Sequence, residues 1–240
     1  MKLLKGFALA FNMLSILPFF KVHNFFKGIN GYSVTFYPLI GFILGSILWG
    51  VHALLSGLVP DVHLAVIIFA LWVLLTGALH VDGFSDSVDG LFVKRERALE
   101  VMKDSSVGGM GMTFTFVFLS LKLSSLIYLE AFYLLPLILM FSRLNASLAI
   151  YFYNYASSGV GALLKEEFIL RYLLFSLFYS LLLAYLFSFL GAFLLSAFIL
   201  ILCARFFSAR LGGLTGDVYG FIIEVTELAL LNYVIIVNFS

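Results

Sequence analysis

Three aspartates, Asp82, Asp86 and Asp89, stand in the segment LHVDGFSDSVDGLF, separated by four and then three residues. On an α-helix that spacing sets all three carboxylates on one face. Stacked negative charges repel, so two readings compete. Either the segment is a wet helix start, where aspartate is a common cap favoured by the dipole, or a cation sits among the acids. Three together at the edge of an apolar run favour the cation. Carboxylates without a cysteine cluster suit a hard ion, and Mg²⁺ takes one or two carboxylates plus substrate phosphates while keeping several waters.

A second acidic set lies in GGLTGDVYGFIIEVTELALL, where Asp217 and Glu224 are seven apart and Glu227 follows three later. A helix cap accounts for Asp217 alone. It leaves Glu224 and Glu227 unexplained inside an apolar segment, where exposure to lipid is costly, so a second wall of the same polar site is expected. Between the two sets, Asp104 and Ser105 precede Gly108, Gly109 and Gly111. A glycine-rich helix start offers backbone N–H groups to an anion, and glycines equally serve close helix packing. Lys94, Arg95 and Arg97 divide evenly between phosphate neutralisation and topology, whereas Glu96 and Glu100 read as a solvated face. For Arg143 and Asn145, hydrogen bonding inside a bundle and substrate contact stand level.

The elements that must position these groups follow from composition. Of 240 residues 63% are hydrophobic and 11% charged, with a mean hydropathy of +1.12. A soluble domain carries roughly a quarter of its residues charged, so the chain is an integral membrane protein. Runs such as LLFSLFYSLLLAYLFSFLGAFLLSAFILIL do not alternate apolar with polar as a membrane barrel would. The fold class is therefore all-α, a polytopic membrane helix bundle. Spans are predicted at 35–57, 64–81, 108–129, 132–152, 172–189, 192–209 and 219–238, seven in all.

Lys2 and Lys5 before an apolar stretch resemble a signal peptide, but no small-x-small cleavage site follows. The segment is expected to be retained, and Asn12 and Pro18 favour an interfacial or re-entrant course. Lysine and arginine gather in the first 30 residues and in 82–107, 153–171 and 205–218, and are absent from the alternate connections. That bias puts the N-terminus and the acids on the cytoplasmic side and the C-terminus outside. His63 then faces the opposite side from His80, so His80 reads as an interfacial hydrogen-bonding group and not a zinc ligand. A formal charge of +1 gives no sign of nucleic acid. Cys203, the one cysteine, reads as a buried thiol. Without a repeat or linker, residues 1–240 are expected to form a single membrane domain.

In order along the chain, YPLIGFILG, GALHVDGFSDSVDGLF, RERALEVMKDSSVGGMG and GGLTGDVYGFIIEVTELALL resemble the cobalamin synthase family, the adenosylcobinamide-GDP ribazoletransferases of bacteria and archaea. The resemblance covers nearly the whole chain. It implies a Mg²⁺-dependent membrane enzyme that joins adenosylcobinamide-GDP to α-ribazole or its 5′-phosphate and releases GMP. By position, the family's acidic motif falls on Asp82, Asp86 and Asp89, its Lys-Asp-Ser motif on Lys103, Asp104 and Ser105, and its Thr-Gly-Asp motif on Thr215, Gly216 and Asp217. The four aspartates are thereby implied as catalytic and metal-binding groups. The two later motifs, with Gly108 and Glu224, are expected to bind substrate. Ser106 departs from the pattern, which carries a basic residue there. Whether the chain forms a homo-oligomer is open at this stage.

Two other readings fit the sequence less well. CDP-alcohol phosphotransferases share D-G-x2-A-R, whereas Asp86 follows Asp82-Gly83 after two residues here. A transporter would place acids at mid-membrane along a pathway, often in repeated halves; these acids cluster at one membrane face.

Overall fold

A computed structural model describes residues 1–17, 26–104 and 106–239. Pro18, Lys21, Ser105 and Ser240 lie outside them. Every described element is helical: α1 (Lys2–Leu14), α2 (Ile29–Thr35), α3 (Tyr37–Leu55), α4 (Asp61–Leu75), α5 (Leu79–Leu91), α6 (Arg95–Val101), α7 (Gly109–Ile127), α8 (Leu135–Phe152), α9 (Val160–Glu167), α10 (Leu170–Leu186), α11 (Leu190–Leu211) and α12 (Gly216–Phe239). A 3-10 turn, Phe132–Leu134, leads into α8.

Five of these are long and apolar enough to cross a bilayer: α3, α7, α8 with its leading turn, α11 and α12. Two bent pairs, α4 with α5 and α9 with α10, qualify only when taken together, and they turn by 81° and 88°. The chain is thus an all-α, multi-pass membrane protein. The seven expected spans fall on α3, α4, α7, α8, α10, α11 and α12. One boundary differs in kind. The predicted 64–81 span stops at Leu75, because Gly77 (φ 61°) and Ala78 (φ 57°) adopt left-handed backbone that no α-helix continues through. The chain restarts at Leu79 as α5, and its three aspartates ride on a helix turned out of the spanning direction.

The centre of the bundle is α8. Every residue from Leu135 to Ile150 is buried, as in a helix with neighbours all round. Against it lies α3, whose Gly41 and Gly45 replace side chains with contact. A Cβ on Gly41 would stand 2.2 Å from the Leu139 carbonyl oxygen, and one on Gly45 2.5 Å from that of Leu135. This is the small-x3-small packing of membrane helices, and it explains the glycine spacing of YPLIGFILG. Outward faces of α7, α10 and α11 present Phe116, Phe178 and Leu194 to the hydrocarbon. Short α1 buries Gly6, Ala8, Ala10, Phe11 and Leu14.

Candidate active site

The acids meet where α5 crosses the start of α12. Gly83 makes the crossing close: a Cβ there would stand 2.8 Å from the Asp217 carbonyl oxygen. One turn along α12, Gly220 does the same for the His80 backbone, with its Cβ position 3.1 Å from the His80 carbonyl oxygen. Behind the crossing, Phe84 stacks on Phe221 at 5.0 Å and lies 4.3 Å from Phe118 of α7. This aromatic seam buries the apolar side of α5 and leaves Asp82 and Asp86 toward Asp217. Asp82 is exposed, while Asp86 and Asp217 are half-buried.

Two further contacts fix the helix ends. Arg210 of α11 donates through Nη2 to the carbonyl oxygens of Leu91 (3.1 Å) and Val93, neutralising the C-terminal end of α5. At the turn before α12, Leu214 donates to the Asn154 carbonyl (2.8 Å) and accepts from the Ala156 N–H (2.8 Å), a backbone pairing that anchors Thr215–Gly216–Asp217. The Thr215 hydroxyl accepts from the Val218 N–H and donates to Asp217 Oδ2, both at 3.3 Å. Asp217 is thus the oriented acid and Thr215 the cap.

Asp86 feels this gathering. Burial, followed by the charges of Asp82, Asp217 and Asp89, pushes its carboxyl up to about 6. The same repulsion is what a bound cation would relieve. Among the described residues, no three histidine, cysteine, aspartate or glutamate side chains are drawn together tightly enough to enclose a metal by themselves. Hard carboxylates that need completion by other oxygens fit Mg²⁺ bound partly through substrate phosphates, and do not fit a closed protein cage.

Four expectations need correction. Asp89 shares the face by spacing, but its carboxylate turns to α7 and accepts the N–H groups of Gly108 (2.8 Å) and Gly111 (2.7 Å). The N–H groups of Gly108 and Gly111 are therefore already taken by Asp89 and are not offered to an anion. The reason is local: the connection from α6 folds back on α5, and the nearest anion to the new helix is the protein's own. Glu224 and Glu227 do not wall the acidic site. They lie deeper, where Lys122 Nζ of α7 meets Glu224 at 2.7 Å and Glu227 at 2.5 Å, and Arg143 of α8 pairs with Glu227. All four side chains are buried, two positive against two negative. Lys122 was overlooked in the sequence, although a lone charge in the middle of a predicted span is a signal that a partner awaits it. Finally, His80 is not an interfacial hydrogen-bonding group: it is buried, and its Nε2 has no partner among the described residues.

Lys103 and Asp104 are exposed in the α6–α7 connection. Asp104 Oδ1 accepts the Ser106 N–H at 3.0 Å and its hydroxyl as well, which holds the Asp104 carboxyl below the usual carboxylate range. Ser106 thus serves its own loop. Asn145 donates to the Ser196 carbonyl and to the Thr226 hydroxyl, both at 2.9 Å, a bundle-interior role. Cys203 is a buried free thiol.

Beside the acids opens a cavity of about 210 Å³ with Asp82, Gly216 and Asp217 at its rim, and with Tyr37, His80 and Tyr219 among its walls. Neither tyrosine was singled out in the sequence, since aromatic residues are everywhere in it.

A membrane helix bundle that gathers hard carboxylates from two helices at a cavity is built as a membrane-embedded enzyme. The sequence profile of the cobalamin-5-phosphate synthase family matches residues 6–235. The chain belongs to that family, the transferases of cobalamin synthesis. It is 40% identical to the adenosylcobinamide-GDP ribazoletransferase of Thermosynechococcus vestitus over 81% of this chain and 82% of that one. With the protein of the same description from Desulforamulus reducens it shares 39% over 91% of each, and with that of Pseudomonas entomophila 34% over 84% and 86%. No solved structure matches the chain.

Proposed function

We propose that the protein transfers the cobinamide phosphate of adenosylcobinamide-GDP to α-ribazole or its 5′-phosphate, with Mg²⁺ as cofactor. The observation that carries this reading is the meeting of Asp82 on α5 with Asp217 on α12 at the rim of a cavity, far apart in sequence and joined through Gly83, with Asp86 close enough to feel both charges. The names of the relatives supply the substrate class. Asp82, Asp86 and Asp217 would hold Mg²⁺ together with substrate oxygens, and the ion supplies neutralisation of the charge that grows on the leaving phosphate.

The protein's own part is positioning. A ribose hydroxyl of the acceptor attacks the phosphorus next to the cobinamide arm. The new P–O bond forms as the phosphoanhydride bond breaks, and GMP leaves with the bonding electrons. One of the three carboxylates takes the hydroxyl proton. Such transfers depend chiefly on alignment and charge, which the fixed crossing of α5 and α12 provides. Asp89 acts at one remove, by holding the start of α7. From the lysine and arginine bias, the site faces the cytoplasm from the cytoplasmic membrane of a bacterium or archaeon.

Purified protein given adenosylcobinamide-GDP, α-ribazole and Mg²⁺ should release GMP and form the joined product. GMP release that does not depend on the acceptor, or none at all, would overturn the reading.

A further inference from the structure

The site is rich in acceptors and short of donors. Asp82, Asp86 and Asp217 only accept when ionised, while a phosphate drawn in beside a cation keeps oxygens that need N–H or O–H partners. Groups that could supply them are spent elsewhere: the Gly108 and Gly111 N–H groups on Asp89, Lys122 and Arg143 on Glu224 and Glu227, and Arg210 on the end of α5.

Tyr155 answers that need. It lies in the connection after α8, where the chain runs backbone to backbone against the turn that starts α12. Tyr155 pairs with Leu214 as an isolated bridge, and Gly213 lets the two segments close, its Cβ position 2.7 Å from the Asn154 carbonyl oxygen. That pairing sets Tyr155 beside Gly216 and Asp217. Neighbours from two helices seat its ring. Gly161 at the start of α9 gives up its side-chain space to it, since a Cβ there would stand 2.2 Å from Tyr155 Cε2 and 2.6 Å from its hydroxyl oxygen. The Tyr219 ring of α12 lies 6.2 Å away, tilted by 31°.

The hydroxyl is open to a ligand. Tyr155 is half-buried, and its oxygen is not sealed within the protein as that of Tyr219 is. Burial holds the phenol above its usual range; the Gly216 N–H turned toward its oxygen offsets part of that, and the charge of Asp217 adds to it. With an N–H toward its lone pairs, the O–H is left to donate. We propose that the Tyr155 hydroxyl donates to a phosphate oxygen of substrate bound against Asp217, an inference that rests on the transfer reaction above. That oxygen belongs either to the phosphates of the donor or to the 5′-phosphate of the acceptor, which a phenol recognises alike.

A structural duty competes with this one: the hydroxyl could serve only to satisfy the Gly216 N–H at the start of α12. That duty predicts lost stability when the hydroxyl is removed. A bond to substrate predicts lost rate in an equally stable protein.

The test uses the full chain in detergent or nanodiscs, with GMP release followed for α-ribazole and for α-ribazole 5′-phosphate as acceptors. Tyr155→Phe keeps the ring and should lower kcat/KM between about tenfold and about a hundredfold, the scale of one hydrogen bond to a charged group, at an unchanged thermal midpoint. An equal loss with both acceptors assigns the bond to the phosphates of the donor. A loss confined to α-ribazole 5′-phosphate, and expressed in its KM, assigns it to the acceptor. Gly161→Ala must push the ring from its seat, and because a side chain can swing aside the fold should survive. It should lower kcat/KM when Tyr155 is present and cost little further in Tyr155→Phe, since both changes act through one hydroxyl. Unchanged kcat/KM in Tyr155→Phe with both acceptors, a rate loss matched by a lower thermal midpoint, or losses that multiply in the double variant would overturn the assignment. These outcomes leave GMP release by the wild type intact; loss of that release would instead overturn the transfer reaction.

Discussion

Gly83 and Asp217 touch backbone to backbone: a Cβ on Gly83 would stand 2.8 Å from the Asp217 carbonyl oxygen and 3.0 Å from its Cα. Neither atom can yield without moving the start of α12. Gly83→Ala should therefore push Asp217 away from Asp82 and lower kcat about a hundredfold, the scale expected for a displacement near 1 Å. Steady-state GMP release checks it, and full activity in Gly83→Ala would show that the crossing is not needed for alignment.

The aspartates should separate into two kinds. Asp82→Asn is expected to lower kcat at least about a hundredfold without lowering the thermal midpoint, because it removes a charge the transition state uses and a repulsion the fold does not need. Asp89→Ala should do the reverse, lowering the midpoint by an amount typical of a lost helix cap, about 1 kcal/mol, while the Mg²⁺ concentration for half-maximal rate stays put. Equal effects of the two on that concentration would place Asp89 back among the metal ligands.

Asp82 and Asp217 should also behave as one unit. The double variant Asp82→Asn/Asp217→Asn is expected to be little worse in kcat/KM than the poorer single one, since residues acting together lose their effect together. Losses that multiply would divide the two helices into separate sites.

Removal of the cation gives a pH signature. Asp86, raised to about 6, holds its proton more tightly folded than unfolded. Its stabilising contribution to the metal-free protein is then complete below about pH 4 and is lost as the pH rises through about 6. In EDTA the thermal midpoint of the wild type should fall over that window relative to Asp86→Asn, and Mg²⁺ at pH 7 should restore it. Turnover in EDTA should be abolished. Parallel midpoint curves for the two proteins would mean that Asp86 is not crowded by its neighbours.

The buried ion cluster predicts a rescue. Lys122→Met leaves Glu224 and Glu227 facing Arg143 alone, and breaking a buried pair on one side costs about 3–5 kcal/mol. Adding Glu224→Gln restores the charge balance and should recover most of the loss in yield and thermal midpoint. A double variant no better than Lys122→Met would argue against the pairing.

The sequence was informative wherever chemistry is local and silent wherever it is tertiary. The apolar stretch expected at 132–152 spans the 3-10 turn and α8 together, because the apolar run and its neighbours' polarity coincide there. The bend at Gly77–Ala78 was hidden: no proline marks it, and an alanine in left-handed backbone leaves no trace in composition. Spacing brought out Asp82 and Asp86 correctly as one face. It placed Asp89 there too, since only the path of α7 reveals that Asp89 answers Gly108 and Gly111. Glu224 was assigned to the wrong neighbourhood because its partner, Lys122, is 102 residues away and was passed over within an apolar run.

Because α8 has no free face, its length is a fixed quantity in a way that the length of a surface helix is not. Inserting one residue in its middle rotates everything beyond by about 100°. Depending on where it falls, that phase slip would strip the small-residue seam from Gly41, the counter-ion from Glu227 or the amide from Thr226. Insertions and deletions among chains of this architecture should accordingly collect in the connections around Ser56–Pro60 and Ser157–Gly159, where built Cβ positions on Gly57 and Gly159 meet open space, and leave α8 constant in length.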